Sequence, residues 1–184
     1  MPIATPAAAF AFPCPDFTLP DVFGVSRRRD DVVGGKAALV VFFCNHCPYA
    51  RAVEDRLIAL HKEMAPFGLT TTLIAANDWL AYPDDSPENL QKRALEKGYP
   101  FPYLVDEHQR SARAFGAVCT PDFFLFDARQ KLSYRGRIDD NWKHPELVQQ
   151  RELALAIRAL ALGEAVPSVQ HPALGCSIKW KVDA

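Results

Sequence analysis

The 184-residue sequence predicts an α/β fold with a central mixed sheet flanked by helices. Three observations lead there. A continuous apolar and partly β-branched run, Ala37 to Phe43, has the length of a strand covered on both faces. Directly after it apolar residues recur at helical steps, at Tyr49, Val53, Leu57, Leu60 and Met64. Further strand-like and helix-like stretches then alternate and close on a β-hairpin, the order expected of one sheet with helices on both faces.

From the N-terminus, Pro15 to Gly24 (PDFTLPDVFG) alternates apolar and polar residues and ends in a turn, which reads as a short strand or hairpin arm at a sheet edge. The run Arg27-Arg28-Arg29 reads as a solvated loop between two elements. Gly34-Gly35 marks the turn before the central strand, and the helix after that strand should stop near Pro66 and Gly68. Thr70 to Ala76 reads as the next strand and Asn77-Asp78 as the loop leaving it. A helix beginning near Ser86-Pro87-Glu88, N-capped by Ser86 and stopped by Gly98, should carry Leu90, Ala94 and Leu95 inward. Tyr103 to Val105 reads as a short strand and Gln109 to Phe115 as a short helix. Asp122 to Phe126 and Leu132 to Arg135 read as two strands joined by the polar turn Asp127 to Lys131. Leu153, Ile157 and Leu160 give a last amphipathic helix that ends near Gly163. Residues 164–184 form a Pro-punctuated tail holding Cys176, and 1–184 as a whole is expected to be a single domain.

Composition narrows the function. Apolar residues make up 49% and charged residues 23%, an ordinary globular balance. A net charge of -1 without a dense Lys/Arg block argues against nucleic acid or an anionic membrane as the main partner. No apolar stretch approaches the roughly 18 residues of a membrane span. Met1 to Phe12 lacks the charged start and unbroken apolar run of a secretion signal, so a cytoplasmic location is expected. Five cysteines are too few for a disulfide scaffold, and in a reducing compartment thiols more often do chemistry or bind metal.

The segment Cys44-Asn45-His46-Cys47 falls where the central strand hands over to a helix. C-x-x-C occurs in zinc ribbons too, but this placement is much more specific for redox work. The opening of a helix offers unpaired N–H groups and the positive end of the dipole, which favour a thiolate on Cys44. Cys47, one turn deeper, is then the resolving thiol, and Pro48 is tolerated in the first turn because its missing N–H has no intrahelical partner. His46 adds partial positive charge, which stabilises the reduced form and should raise the reduction potential above the roughly -270 mV of thioredoxin. Thr120-Pro121, just before the strand DFFLF, is either an ordinary trans turn or a cis bond that exposes backbone groups for an extended substrate.

With these residues in place the sequence resembles the thioredoxin superfamily, in particular the redoxin branch related to alkyl hydroperoxide reductase and thiol-specific antioxidant proteins. The likeness rests on PDFTLPDVFG, the strand with FFCNHCPYAR, the TP of AVCTPDFFLFD, and YRGRIDD, spanning Pro15 to Asp140. FFCNHCPY, CTPDFFLFD, RGRIDD and GCSIKW are also similar to a group of bacterial thioredoxin-like proteins. The resemblance implies a thioredoxin-like fold, Cys44 as nucleophile, Cys47 as resolver, and Pro121 as a cis-proline preceded by Thr120. Two departures accompany it. Phe43 and Asn45-His46 replace the Trp and Gly-Pro of thioredoxins proper, and Val41 stands where peroxiredoxins carry a threonine three residues before their reactive cysteine.

The expected activity is therefore thiol-disulfide exchange with protein or small-molecule thiols and disulfides, needing no cofactor. A thiol peroxidase acting on peroxides is the second reading, and a zinc or copper module built on Cys44, His46 and Cys47 the third. Cys119 and Cys176 form a possible second redox pair if the tail folds back, the plain alternative being two inert buried thiols. Cys14 reads as a bystander, and Asp139, Asp140 and His144 as a polar turn rather than a metal site. The sequence leaves open which way Arg135 and Arg137 point, and it leaves the oligomeric state open.

Overall fold

The computed structural model describes residues 2–182. In chain order its elements are β1 (Pro2–Ala4), β2 (Thr18–Pro20), β3 (Ser26–Arg28), α1 (Arg29–Val32), β4 (Ala37–Phe42), α2 (Pro48–Met64), β5 (Leu69–Ala75), α3 (Pro87–Lys97), β6 (Tyr103–Val105), α4 (Arg110–Phe115), β7 (Cys119–Thr120), β8 (Asp122–Asp127), β9 (Leu132–Gly136), α5 (Glu152–Leu162) and β10 (Leu174–Ser177). No helix among the described residues is long and apolar enough to cross a membrane.

The main sheet has the order β6-β5-β4-β8-β9, with β4 parallel to β5 and antiparallel to β8. Every residue of β4 is buried, as its unbroken apolar sequence requires of a central strand. Its side chains alternate between two cores. Leu39 and Val41 meet Val53, Leu57 and Leu60 of α2 and Ile157 of α5, while Ala38, Val40 and Phe42 meet Phe17, Phe115 and Phe124 on the other face. The α2 stripe read from the sequence is the buried face of that helix, and the helix gives way through Ala65–Phe67 to Gly68, whose φ of 94° makes the turn into β5. Ser86 caps α3 by accepting a hydrogen bond from the Asn89 N–H, and Gly98 ends it in a left-handed conformation.

Three local expectations change. The arginine run is not a loop: Arg27 and Arg28 lie in β3, which pairs with β2, and Arg29 opens α1. Asp21, 4% exposed, draws Arg27 back onto the hairpin at 3.0 Å. Leu95 is 64% exposed rather than turned inward, because a step of five residues from Leu90 leaves the stripe that Leu90 and Ala94 share. The tail is not irregular throughout. It supplies β10, which lies between β1 and β7 in a three-stranded antiparallel sheet, so the tail is bound to the segment that precedes Pro121 and β1 is bound to the tail. Gly175 is needed there, since a Cβ at that position would stand 2.4 Å from the Thr120 carbonyl oxygen. Beyond β10, the Ile178 N–H bonds to the Val118 carbonyl and the Asp78 N–H to the Lys179 carbonyl, which fixes the tail across the end of the main sheet.

Candidate active site

Strand β4 ends two residues before Cys44, and α2 begins at Pro48. Cys47, not Cys44, is therefore the N-cap of α2, with Pro48 at the first helical position where its missing N–H is harmless. The Thr120-Pro121 peptide is cis and faces the pair. Its threonine touches both sulfurs: Cys44 Sγ is 3.0 Å from Thr120 Oγ1, and Cys47 in its thiol form donates to the Thr120 carbonyl at 2.9 Å. Both cysteines have 0% relative exposure.

Burial, the donation to Cys47 and the nearby Asp85 carboxylate push the Cys44 thiol well above its ordinary range. Cys47 goes the other way, to about 5. As a thiolate it accepts from the Cys44 thiol first of all, then from the Cys176 thiol and from the backbone N–H groups of Ala50 and Cys176, which together outweigh burial. The Ala50 N–H is one of the unpaired donors of the first turn of α2. Burial and the contact between the two thiols thus pull their pKa values in opposite directions.

His46 has a partner that no local sequence signal marks. Its Nδ1 lies 2.5 Å from Asp85 Oδ2, and its ring stacks on Tyr82 with centroids 5.3 Å apart. Asp85, 1% exposed, also accepts from the Asn45 N–H at 2.6 Å and from Asn77 Nδ2 at 2.8 Å. Asn77 Oδ1 in turn receives the Lys179 N–H at 2.8 Å, so the network reaches from the cysteine loop to the tail. Asp85 raises the His46 pKa above its ordinary 6.5. Burial works against the Asp85 anion, yet the hydrogen bonds from His46 and Asn77 hold its pKa below 3.8. The positive charge expected of His46 is therefore largely matched by a carboxylate.

The sign of the pH effect follows. A raised histidine pKa gives stability that is complete below 6.5 and lost as pH climbs through the folded value. A lowered carboxyl pKa gives stability that is complete above 3.8 and lost as pH falls through the folded value. The pair contributes fully between those limits. In Asp85→Asn the His46 midpoint, followed by NMR of the ring protons, is expected to fall; an unmoved midpoint would show that the carboxylate does not act on the ring.

The remaining candidates separate. Cys176 lies beside the pair, packed against the cluster that holds Cys44 and Cys47 and opposite Thr120 in the ladder. Cys119 does not join it. The register sets Cys176 opposite Thr120 and Ser177 opposite Cys119, so the two cysteine side chains leave opposite faces of the ladder. The Cys119 thiol points to the Pro121 carbonyl at 3.6 Å instead. Cys14 is buried in the opposite core. Arg135 binds the buried Asp122 at 2.7 Å and Arg137 binds Glu152 at 2.5 Å, neither of them a cysteine partner. Asp139 pairs with Arg56, Asp140 accepts from the Gln149 N–H, and His144 lies beside Glu146, which leaves that turn with structural contacts.

One metal-like cluster exists among the described residues, with donor atoms of Cys44, His46 and Asp85 within 4.8 Å of one another. Asp85 replaces the Cys47 of the sequence reading. Its carboxylate is engaged by three donors, one of them His46 itself, so these groups form a closed hydrogen-bonded set rather than an open set of ligands.

A mixed sheet between helices, a cysteine pair at the exit of its central strand and a cis X-Pro bond against that pair define a thioredoxin-fold redoxin. Residues 11–135 match the AhpC/TSA family, and the chain belongs to that family. Among solved structures it is similar to an uncharacterized conserved protein from Geobacillus kaustophilus, with 41% identity, a TM-score of 0.94 and coverage of 100% of this chain and 98% of that one. A hypothetical protein from Sinorhizobium meliloti is 33% identical with a TM-score of 0.91, over 98% of this chain and 99% of its own. The thioredoxin domain of a thiol-disulfide oxidoreductase from Bacteroides vulgatus shares the fold at 19% identity and a TM-score of 0.59, over 70% of this chain and 89% of that one. No curated protein matches the chain.

Proposed function

We propose that this redoxin is a thiol-disulfide oxidoreductase that works through Cys44 and Cys47 in a reducing, cytoplasmic setting. The observation that carries the reading is a cysteine pair at the start of α2 with both sulfurs held against Thr120 of a cis Thr120-Pro121 peptide. Cys47 attacks one sulfur of a disulfide substrate, that S–S bond breaks, and the departing thiolate takes a proton from solvent. Cys44 then attacks the Cys47 sulfur of the mixed disulfide, gives up its proton, and expels the second substrate thiol. The substrate gains two electrons and the chain is left with a Cys44–Cys47 bond.

The test is a reaction of the reduced protein with oxidised glutathione. Two glutathione molecules should be released per chain, with Cys44 and Cys47 joined in the recovered peptide. Stabilising the Cys47 anion favours the reduced form, so the midpoint should be less negative than about -270 mV. A midpoint at or below that value would remove the stabilised thiolate from the account.

The closed site favours one further reading. Both sulfurs are fully covered, and a threonine hydroxyl stands at Cys44 from β7, although the sequence has none at the peroxiredoxin spacing. A small hydroperoxide would suit such a site. Cys47 would take one oxygen as a sulfenic acid with loss of the alcohol or water, and Cys44 would condense with it to release water and form the same disulfide. Peroxide consumption much faster than by free cysteine supports this route, and a rate no greater than that of free cysteine excludes it.

A further inference from the structure

The reactive pair is sealed, yet one sulfur beside it is not. Cys176, on β10, is partly exposed, while Cys44 and Cys47 are at 0%. Cys176 packs against the core cluster that contains Cys44 and Cys47, and it lies across the ladder from Thr120, whose carbonyl accepts from the Cys47 thiol at 2.9 Å. The strand register holds Cys176 in this place, opposite Thr120, whose carbonyl and hydroxyl contact the pair. The tail also occupies the Cys119–Thr120 backbone that an extended substrate was expected to use, so a cysteine of the chain itself lies where a substrate sulfur would approach.

From this arrangement we infer that Cys176 is a third redox thiol, the relay through which the buried pair exchanges electrons with an external thiol. The inference rests on the proposed exchange chemistry of Cys44 and Cys47. In the oxidised chain the Cys176 thiolate attacks the Cys47 sulfur. A Cys47–Cys176 bond forms, the Cys44–Cys47 bond breaks, and Cys44 leaves as a thiolate that takes up the proton lost by Cys176. This step moves the disulfide without net oxidation. An external thiolate then attacks the exposed Cys176 sulfur and Cys47 departs. A second external thiol removes the first from Cys176 as a small-molecule disulfide, so two electrons enter and the three protein thiols are restored.

Supporting chemistry comes from the charges. In the reduced chain burial and then the Cys47 anion raise the Cys176 pKa to about 11, while Lys179 lowers it. Once Cys47 is bound in a disulfide its anion is gone and the effect of Lys179 remains. Cys47, with its low pKa, is also the best leaving group of the three, and low-pKa thiols leave faster.

Wild-type chain and Cys44→Ser are each treated with oxidised glutathione, alkylated and digested. A peptide joining Cys47 to Cys176 is expected in both, with all glutathione released from Cys44→Ser and Cys14 and Cys119 still alkylatable after denaturation. Cys176→Ser, oxidised to its Cys44–Cys47 form, is expected to be re-reduced by glutathione more slowly than wild type. Absence of the joined peptide from both chains, or re-reduction of Cys176→Ser at the wild-type rate, overturns the relay. The Cys44–Cys47 peptide of wild type is read in the same digest, so a failure of the underlying exchange reading is seen separately.

Discussion

Replacement of Cys47 by serine is expected to abolish disulfide exchange and to erase a thiolate absorbance transition near pH 5. Serine keeps the size and the contact to the Thr120 carbonyl, but its hydroxyl stays protonated across the accessible pH range and cannot serve as the attacking anion. The position matters as much as the element. Cys47 combines the N-cap of α2 with donors from Cys44, Cys176 and the Ala50 amide, which lower its pKa, so removing its sulfur removes the proposed attacking anion. Ultraviolet titration does not require reagent access, which suits a residue with 0% exposure. Cys44→Ala should keep an acidic transition, shifted upward through loss of the leading donor. The opposite pattern, with the transition kept in Cys47→Ser and lost in Cys44→Ala, would return the charge to the first cysteine.

The largest effect on stability is expected at Arg135. Asp122 begins β8 with 0% side-chain exposure, and Arg135 on β9 meets both of its oxygens, at 3.2 and 2.7 Å, with 8% exposure of its own. The same guanidinium donates to the Gly116 carbonyl at 2.8 Å and lies 4.4 Å over the Phe124 ring. Burial already raises the Asp122 pKa against the pull of the arginine. Arg135→Ala leaves that carboxylate buried without a cation, for which about 3–5 kcal/mol is the usual loss. Denaturant unfolding should show it. Asp122→Asn added to Arg135→Ala should recover part of the loss, because an amide has no charge to strand. A change within about 0.5 kcal/mol, the range of an ordinary surface substitution, would mean that water reaches Asp122.

Much of the sheet was legible because its signals are local and periodic. The β4 run, the α2 stripe and the Ser86 and Gly98 caps each need only a few neighbouring residues to be read, and each stands where expected. Elements defined by distant partners were not legible. β1 is exposed at every position and β10 has four residues with no alternation, so neither carries a strand pattern of its own; each becomes a strand because the other, with β7, supplies hydrogen bonds. The arginine run shows the same limit, since its character depends on β2 and Asp21.

The site divides in the same way. The cysteine motif and the Thr120-Pro121 dipeptide announce themselves, whereas Asp85 joins them from 39 residues beyond His46 and carries no local mark beyond a short acidic turn after Pro83. That α2 is capped at Cys47 rather than at Cys44 had a visible cue in Pro48, which favours the first helical position and so makes its predecessor the cap.

The strand that bears Cys176 also roofs Cys47, and it is held to β7 by a ladder only two residues long. Such a cover discriminates by bulk. A hydroperoxide or a lone thiol needs little room to pass, whereas a folded client must first peel the chain terminus from its seat. Turnover with large disulfides should then be capped by the frequency of that peeling, the same motion that lets deuterium reach the Ile178 amide, while turnover with small ones should not feel it.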